Sequence, residues 1–270
     1  MRFSEPAPAK LNLALHVRGR LPDGRHKLET VFAFCVDGDM LYAEHFEHIA
    51  LHVTGAMASA LDGGPDNLVM RAANALRERR EMMLDGGVQL TLDKRLPVAA
   101  GIGGGSADAA ATLRLLTRLW SLDPAHALAI APTLGADVPA CLLSMTARGE
   151  GAGDRLSLVD DATISGTPVL LVNPGVALST AEVFARYDGV DRGPLGEWRD
   201  GRNDLEAPAR MMVPAIGEVL DWLGEQHGAN FVRMSGSGAT CFALFDDEDA
   251  RDAAAAACPS AWWHLASVLR

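Results

Sequence analysis

At 270 residues the chain has room for one large domain or two of ordinary size, and its 49% hydrophobic content suffices for buried cores. With 35 acidic against 24 basic residues the formal net charge is -11, which argues against a broad nucleic-acid or anionic-membrane surface, since both require basic patches. A phosphorylated ligand must then be held by local geometry rather than by bulk charge.

The start, Met1 to Lys10, carries Ser4, Glu5 and two prolines where a signal peptide needs an apolar stretch. From Lys10 to Val17, Leu11, Leu13, Leu15 and Val17 alternate with Lys10, Asn12, Ala14 and His16, the period of a half-buried strand with Lys10, Asn12 and His16 on one face. Pro22-Asp23-Gly24 predicts a turn, and a second apolar run from Leu28 is expected to end before Asp37-Gly38-Asp39. Asp66 or Asn67 can cap a helix carrying Leu68, Ala72, Ala75 and Leu76, and Val88 to Leu92 reads as a strand. Ala109, Leu113, Leu116 and Trp120 recur at helical spacing, and Asp123-Pro124 opens the next helix as N-cap and first residue. Further on, Pro168 to Val172 predicts a strand, Asp188 to Arg202 a polar stretch, and Ile216, Val219, Leu220 and Leu223 one face of a helix. Phe231 to Met234 and Cys241 to Phe245 read as strands around Ser235-Gly236-Ser237-Gly238. The Gly149 to Gly153 cluster is the only sign of a boundary, near residues 150–160. No run of about 18 apolar residues marks a membrane span. The cysteines Cys35, Cys141, Cys241 and Cys258 form no C-x-x-C pair, so no zinc or redox motif is indicated and a reduced, cytoplasmic setting is expected.

The segment Pro97-Val98-Ala99-Ala100-Gly101-Ile102-Gly103-Gly104-Gly105-Ser106-Ala107-Asp108-Ala109-Ala110 places four glycines between a strand and an alanine-rich helix. Glycine lets the backbone approach a ligand closely, and a helix start offers unpaired N–H groups and a partial positive charge. Hydrogen bonds to a charged group contribute about 1.5 to 3 kcal/mol each, so converging amides can hold a polyphosphate in an acidic protein. The Walker loop is excluded because no Lys follows the glycines. The dinucleotide fingerprint fits poorly because Ser106 stands in the place of its third glycine.

This segment resembles the phosphate loop of the GHMP kinases, the family of galactokinase and of homoserine, mevalonate and phosphomevalonate kinases. Pro8-Ala9-Lys10-Leu11-Asn12-Leu13, Asp23-Gly24-Arg25-His26 and Leu134-Gly135-Ala136-Asp137-Val138-Pro139 are similar to one branch of it, and Ser235-Gly236-Ser237-Gly238 to the family's third motif. The resemblance implies an α+β, two-domain GHMP kinase fold. Its N-terminal domain (1–158), like the second domain of ribosomal protein S5, would bind nucleotide, and its ferredoxin-like C-terminal domain (159–270) would contribute to the substrate site. It further implies transfer of the γ-phosphoryl of ATP, with Mg²⁺, to the 2-hydroxyl of a cytidine-diphosphate-linked methylerythritol, a step of non-mevalonate isoprenoid synthesis. Another small-alcohol kinase of the homoserine or mevalonate type, or a non-catalytic nucleotide binder of the same fold, are the alternatives.

On this resemblance Lys10 would stabilise charge developing at the acceptor hydroxyl and Asp137 would be the catalytic carboxylate. Taken alone, Lys10 is a solvated charge and Asp137, before Val138-Pro139, a helix N-cap. Pro97 to Ala107 would hold ATP. Asn12, Arg25, His26, Thr180, Phe184 and Gly236 would line the substrate site, with His26 on the cytosine edge and Phe184 stacked on the ring. Arg25 stands where the branch has an aromatic residue, and a guanidinium plane can also stack on a π-face. Ser106 and Asp108 can touch phosphate or metal, with capping the reading for Asp108. No acidic cluster marks a metal cage, and Mg²⁺ commonly binds through the nucleotide. The expected partner is a small molecule, with no nucleic acid or membrane, and the chain is expected to be a monomer or weak homodimer.

Overall fold

The computed structural model describes residues 2–79 and 86–270. They form two compact units interleaved along the chain, one drawn from 1–9, 37–98 and 103–144, the other from 10–36, 99–102 and 145–270. Two long strands, β1 (Phe3–Arg20) and β2 (His26–Phe46), contribute residues to both.

In the first unit the later half of β2 pairs antiparallel with β4 (Gly87–Asp93), whose other edge is taken in parallel by β3 (Ala50–Thr54). The Val88 to Leu92 alternation puts Val88, Leu90 and Leu92 in the core. Four helices accompany this sheet. They are α1 (Leu68–Arg77), α2 (Gly104–Leu119), α3 (Pro124–Leu134) and α4 (Val138–Leu143), and α2 packs against each of the other three. Asn67 caps α1 through its side chain, and Asp123 caps α3 ahead of Pro124. The small side chains Ala107, Ala109, Ala110 and Ala111 let α2 be buried on nearly all sides. Arg114, at its middle, donates to Glu5 Oε1 at 2.5 Å and to the carbonyls of Pro6 and Cys141.

The second unit holds the first half of β2 paired with β5 (Ala147–Gly151), and β5 with β6 (Arg155–Leu158), so the Gly149 to Gly153 cluster builds a hairpin. Beyond it come β7 (Pro168–Asn173), α5 (Thr180–Ala185), α6 (Glu206–Met212), α7 (Ala215–Gly224), β8 (Ala229–Met234), β9 (Cys241–Phe245), α8 (Glu248–Ala257) and β10 (Trp263–Val268). The strands form an antiparallel sheet in the order β10-β7-β9-β8. Its core joins Leu15 and Val17 of β1 to Leu170, Val172, Ile216 and Val219.

Two expectations are corrected. The second apolar run does not stop at Asp37-Gly38-Asp39, since β2 continues to Phe46. Gly38 lies so close to the first strand that a Cβ there would meet the Ala7 carbonyl at 2.1 Å, and Asp39 is buried with hydrogen-bond donors around it. These turn-forming residue types serve close backbone approach and ion pairing inside a strand. The polar face of β1 is not solvated either, because Lys10, Asn12 and His16 are each no more than 3% exposed.

Candidate active site

Lys10 lies on β1 with its ammonium donating to Asn12 Oδ1 at 2.8 Å and facing the Phe32 ring at 5.5 Å. Asn12 in turn donates to Thr30 Oγ1 at 2.8 Å, and Thr30 donates to the Ala14 carbonyl at 2.6 Å. This chain of bonds orients the Asn12 amide so that its oxygen, and not its NH2, faces the lysine. With the His16 ring bonded to the Gly193 carbonyl at 3.2 Å and accepting the Arg202 N–H at 3.1 Å, Lys10, Asn12 and His16 each have a polar partner, which lets this strand face be buried. Lys10 is tied to the glycine-rich segment as well, its backbone N–H donating to the Ile102 carbonyl at 3.0 Å.

Within the second unit the two glycine motifs meet. The Ser235 hydroxyl accepts the Asn12 N–H at 3.1 Å and donates to the Gly101 carbonyl at 3.0 Å, while the Thr240 N–H donates to the Ala100 carbonyl. Gly101 has φ +76°, and a Cβ there would fall 2.5 Å from the Ser235 carbonyl and 2.7 Å from that of Gly238. Gly236 has φ +56°, and a Cβ there would meet the Gly101 carbonyl at 2.7 Å. Only glycine permits both the conformation and the approach. Asn203 donates to the carbonyls of Met234 and Gly236, each at 2.8 Å, and so holds the later loop in shape.

The C-terminal end of the segment begins α2 in the first unit. Gly103 is its N-cap in the left-handed conformation and brings no side chain to bond the first-turn amides, and a Cβ on Gly105 would find Leu68 no nearer than 3.5 Å. A helix start of this kind suits anionic oxygens. Ser106 lies in that first turn and brings a hydroxyl. Asp108 is not a cap. It lies a turn further on, buried, with its carboxylate on the Lys94 ammonium at 2.7 Å. Asp137 stands before α4 with φ -84° and ψ -14°, and its side chain makes no capping bond to the helix.

His26, at the start of β2, stacks on Phe184 of α5 with ring centroids 4.5 Å apart and planes 22° from parallel. Burial first, and then the Arg20 charge, lower the His26 pKa from 6.5, so the ring is neutral at pH 7. Arg25 is turned to its own carboxylates, at 2.8 Å from Asp23 and 3.6 Å from Asp154, and the ring found on Phe184 is that of His26. Thr180, the first residue of α5, shares a 2.8 Å hydrogen bond with Ser237 beside Gly236. Thr30, Ser235, Asn203, Asp39 and Lys94 were not singled out by sequence reasoning. Their contacts join positions remote in the chain, and only Ser235 carried a signal, as part of its Ser-Gly motif.

The second unit thus holds a buried, tethered lysine and two interlocked glycine loops, and the first unit a helix that starts at glycines. The sequence matches the family model described as GHMP kinases N terminal domain over residues 67–145 and that described as GHMP kinases C terminal over 189–264. The 4-diphosphocytidyl-2-C-methyl-D-erythritol kinase of Rhizorhabdus wittichii is 52% identical, covering 100% of this chain and 96% of its own. That of Novosphingobium aromaticivorans is 50% identical, covering 100% and 94%. Among solved structures, a 4-(cytidine 5'-diphospho)-2C-methyl-D-erythritol kinase superimposes with a TM-score of 0.84 at 35% identity, over 100% of this chain and 99% of that one. The homoserine kinase of Cytophaga hutchinsonii shares the fold with a TM-score of 0.71 at 15% identity, over 99% of this chain and 95% of that one.

The chain belongs to the GHMP kinases, and it has their two-domain α+β fold. Membership of a kinase family implies ATP as the phosphoryl donor. No helix among the described residues is long and apolar enough to cross a membrane.

Proposed function

We propose that this chain transfers the γ-phosphoryl of ATP to the 2-hydroxyl of 4-diphosphocytidyl-2-C-methyl-D-erythritol, in the non-mevalonate route to isoprenoids. The observation that carries the reading is Lys10, a buried ammonium oriented by Asn12 and bonded through its own amide to the glycine-rich segment. Relatives bearing that kinase's name at 52% and 50% identity support it.

In this reading the amides from Pro97 to Ala107 bind the phosphates, and Lys10 stabilises the negative charge that develops as the hydroxyl attacks. Asp137 accepts the hydroxyl proton, and positioning with electrostatics supplies most of the rate. The neutral His26 ring offers one donor and one acceptor to the cytosine edge, and Phe184 offers an apolar face for stacking. Asn12, Thr180 and Gly236 orient the acceptor, while Arg25, held by Asp23 and Asp154, borders the base. Residues 1–158 would then supply the nucleotide site and 159–270 part of the substrate site.

Among the described residues no group of three or more His, Cys, Asp or Glu is placed to hold a metal. The Ser106 hydroxyl is an oxygen donor of the hard type that Mg²⁺ takes, and Mg²⁺ carried on the nucleotide needs few protein ligands. When bound, it neutralises charge on the polyphosphate. A cytoplasmic monomer or weak homodimer completes the reading.

A coupled ADP-release assay tests it. Turnover is expected with the cytidylated methylerythritol; none with it, but turnover with homoserine or mevalonate, would move the chain to another branch. ATP binding without ADP release for any of these alcohols would make it a non-catalytic member.

A further inference from the structure

A buried ion triad in the first unit touches both ends of the glycine-rich segment. Lys94 follows β4, and its ammonium, 1% exposed, donates to Asp39 Oδ2 at 2.5 Å and to Asp108 Oδ2 at 2.7 Å. Asp39, on the later half of β2, accepts the backbone N–H groups of Arg95 at 2.6 Å and Leu96 at 2.8 Å with its other oxygen. One carboxylate thereby fixes the backbone entering the loop. The ammonium reaches the helix leaving it, since a Cβ on Gly104, the first residue of α2, would lie 3.0 Å from Lys94 Nζ.

Such a cluster is a costly way to fill space. Apolar side chains of similar volume are often as stable as a buried ion network. The pairing is also incomplete: Asp108 Oδ1 is buried with no hydrogen-bond partner among the described residues. Asp39, by contrast, has both oxygens engaged.

We propose that Lys94 is a positioning residue for the nucleotide phosphates: with Asp39 it fixes the start of the glycine-rich segment, and with Asp108 it sets the charge beneath the first turn of α2. The proposal rests on the nucleotide reading of that segment and not on the identity of the acceptor. Burial pushes the Asp108 carboxyl up to about 7 against the pull of Lys94. For Lys94, burial is outweighed by the Asp108 and Asp39 carboxylates, which raise its pKa and keep it charged. With Asp108 protonated the triad is neutral; with Asp108 ionised it carries one net negative charge under amides that receive phosphate. Among the described residues the charged groups facing Asp108 are Lys94 and Asp39, and the helices packed on α2, namely α1, α3 and α4, bury only alanine and aliphatic side chains apart from Cys141.

The test is the dissociation constant of Mg-ATP, by calorimetry on the full chain between pH 6 and 8.5, for wild type, Asp108→Asn and Lys94→Met. The Asn side-chain oxygen still accepts from Lys94, so Asp108→Asn keeps the geometry and removes the ionisation. Its ATP affinity is expected to equal wild type at pH 6 and to exceed it by roughly tenfold at pH 8.5, the effect of one buried charge at this range. Lys94→Met is expected to weaken ATP by more than about tenfold at both pH values, since it leaves Asp108 and Asp39 without their cation. If Lys94→Met does not fold, Asp108→Asn decides alone. A folded Asp108→Asn that binds ATP like wild type at every pH overturns the proposal and leaves the triad a support of the fold. Wild type that fails to bind ATP takes the nucleotide reading down with it.

Discussion

Single residues here derive their chemistry from what surrounds them. Lys10 would be a solvated charge on the strand pattern alone, and burial beside Asn12 and Phe32 makes it an oriented cation. Asp137 has a sequence context that favours capping, yet its carboxylate does not bond the helix start. If Asp137 is the general base of the proposed reaction, Asp137→Asn lowers kcat by about 10² to 10⁴, the range for a lost general base, while the Kd for ATP changes little. Steady-state kinetics set beside calorimetry would check this, and unchanged turnover would make Asp137 structural. His26 gives a pH dependence. Its folded pKa lies below 6.5, so the neutral ring is the form present at pH 7 and protonation sets in only on further acidification. The KM for the cytidylated substrate should be flat from pH 7 upward and rise below pH 6.5, and His26→Phe should abolish that rise. A KM that climbs on the alkaline side instead would remove His26 from the base site. For Arg25, bonded to Asp23 and Asp154, replacement by Tyr should leave KM similar or lower; a large rise would show that the ion pairs shape the site.

Among the elements, the glycine-rich segment and the Ser235-Gly236-Ser237-Gly238 loop were both visible in the sequence, each as a run of small residues. Their mutual contact was not, because it joins positions more than a hundred residues apart. Ser235 marks that contact by accepting from Asn12 and donating to Gly101. Ser235→Ala should cost about 1–3 kcal/mol by leaving buried groups unpaired, read as a lowered urea midpoint. Gly101→Ala should be worse, since it adds left-handed strain to a Cβ placed 2.5 Å from a carbonyl. Loss of ATP binding in a thermal-shift titration is expected, and an Ala variant that still binds ATP would place the phosphates elsewhere. The helices were legible from caps and periodicity, as Asn67, Asp123 and Pro124 show. The extent of β2 was not, because Gly38 and Asp39 are turn-forming types used inside a strand.

For the whole molecule, the interleaving of the two compact units has a consequence for dissection. Leu15 and Val17 pack with Leu170, Val172, Ile216 and Val219, so a chain ending at residue 158 leaves a strand of β1 without its core. That fragment should show no cooperative thermal transition by circular dichroism, and a sharp one would mean that the first part folds alone. The sequence by itself determined the family, the caps Asn67 and Asp123, and the alternation of the strands. These follow from local backbone preferences and from motifs that each occupy a few consecutive positions. Tertiary structure alone decided that the polar face of β1 is buried, that Ser235 bridges β1 to the glycine-rich segment, and that Lys94 lies between Asp39 and Asp108. Burial and long-range hydrogen bonding set these outcomes, and neither leaves a periodic trace along the chain.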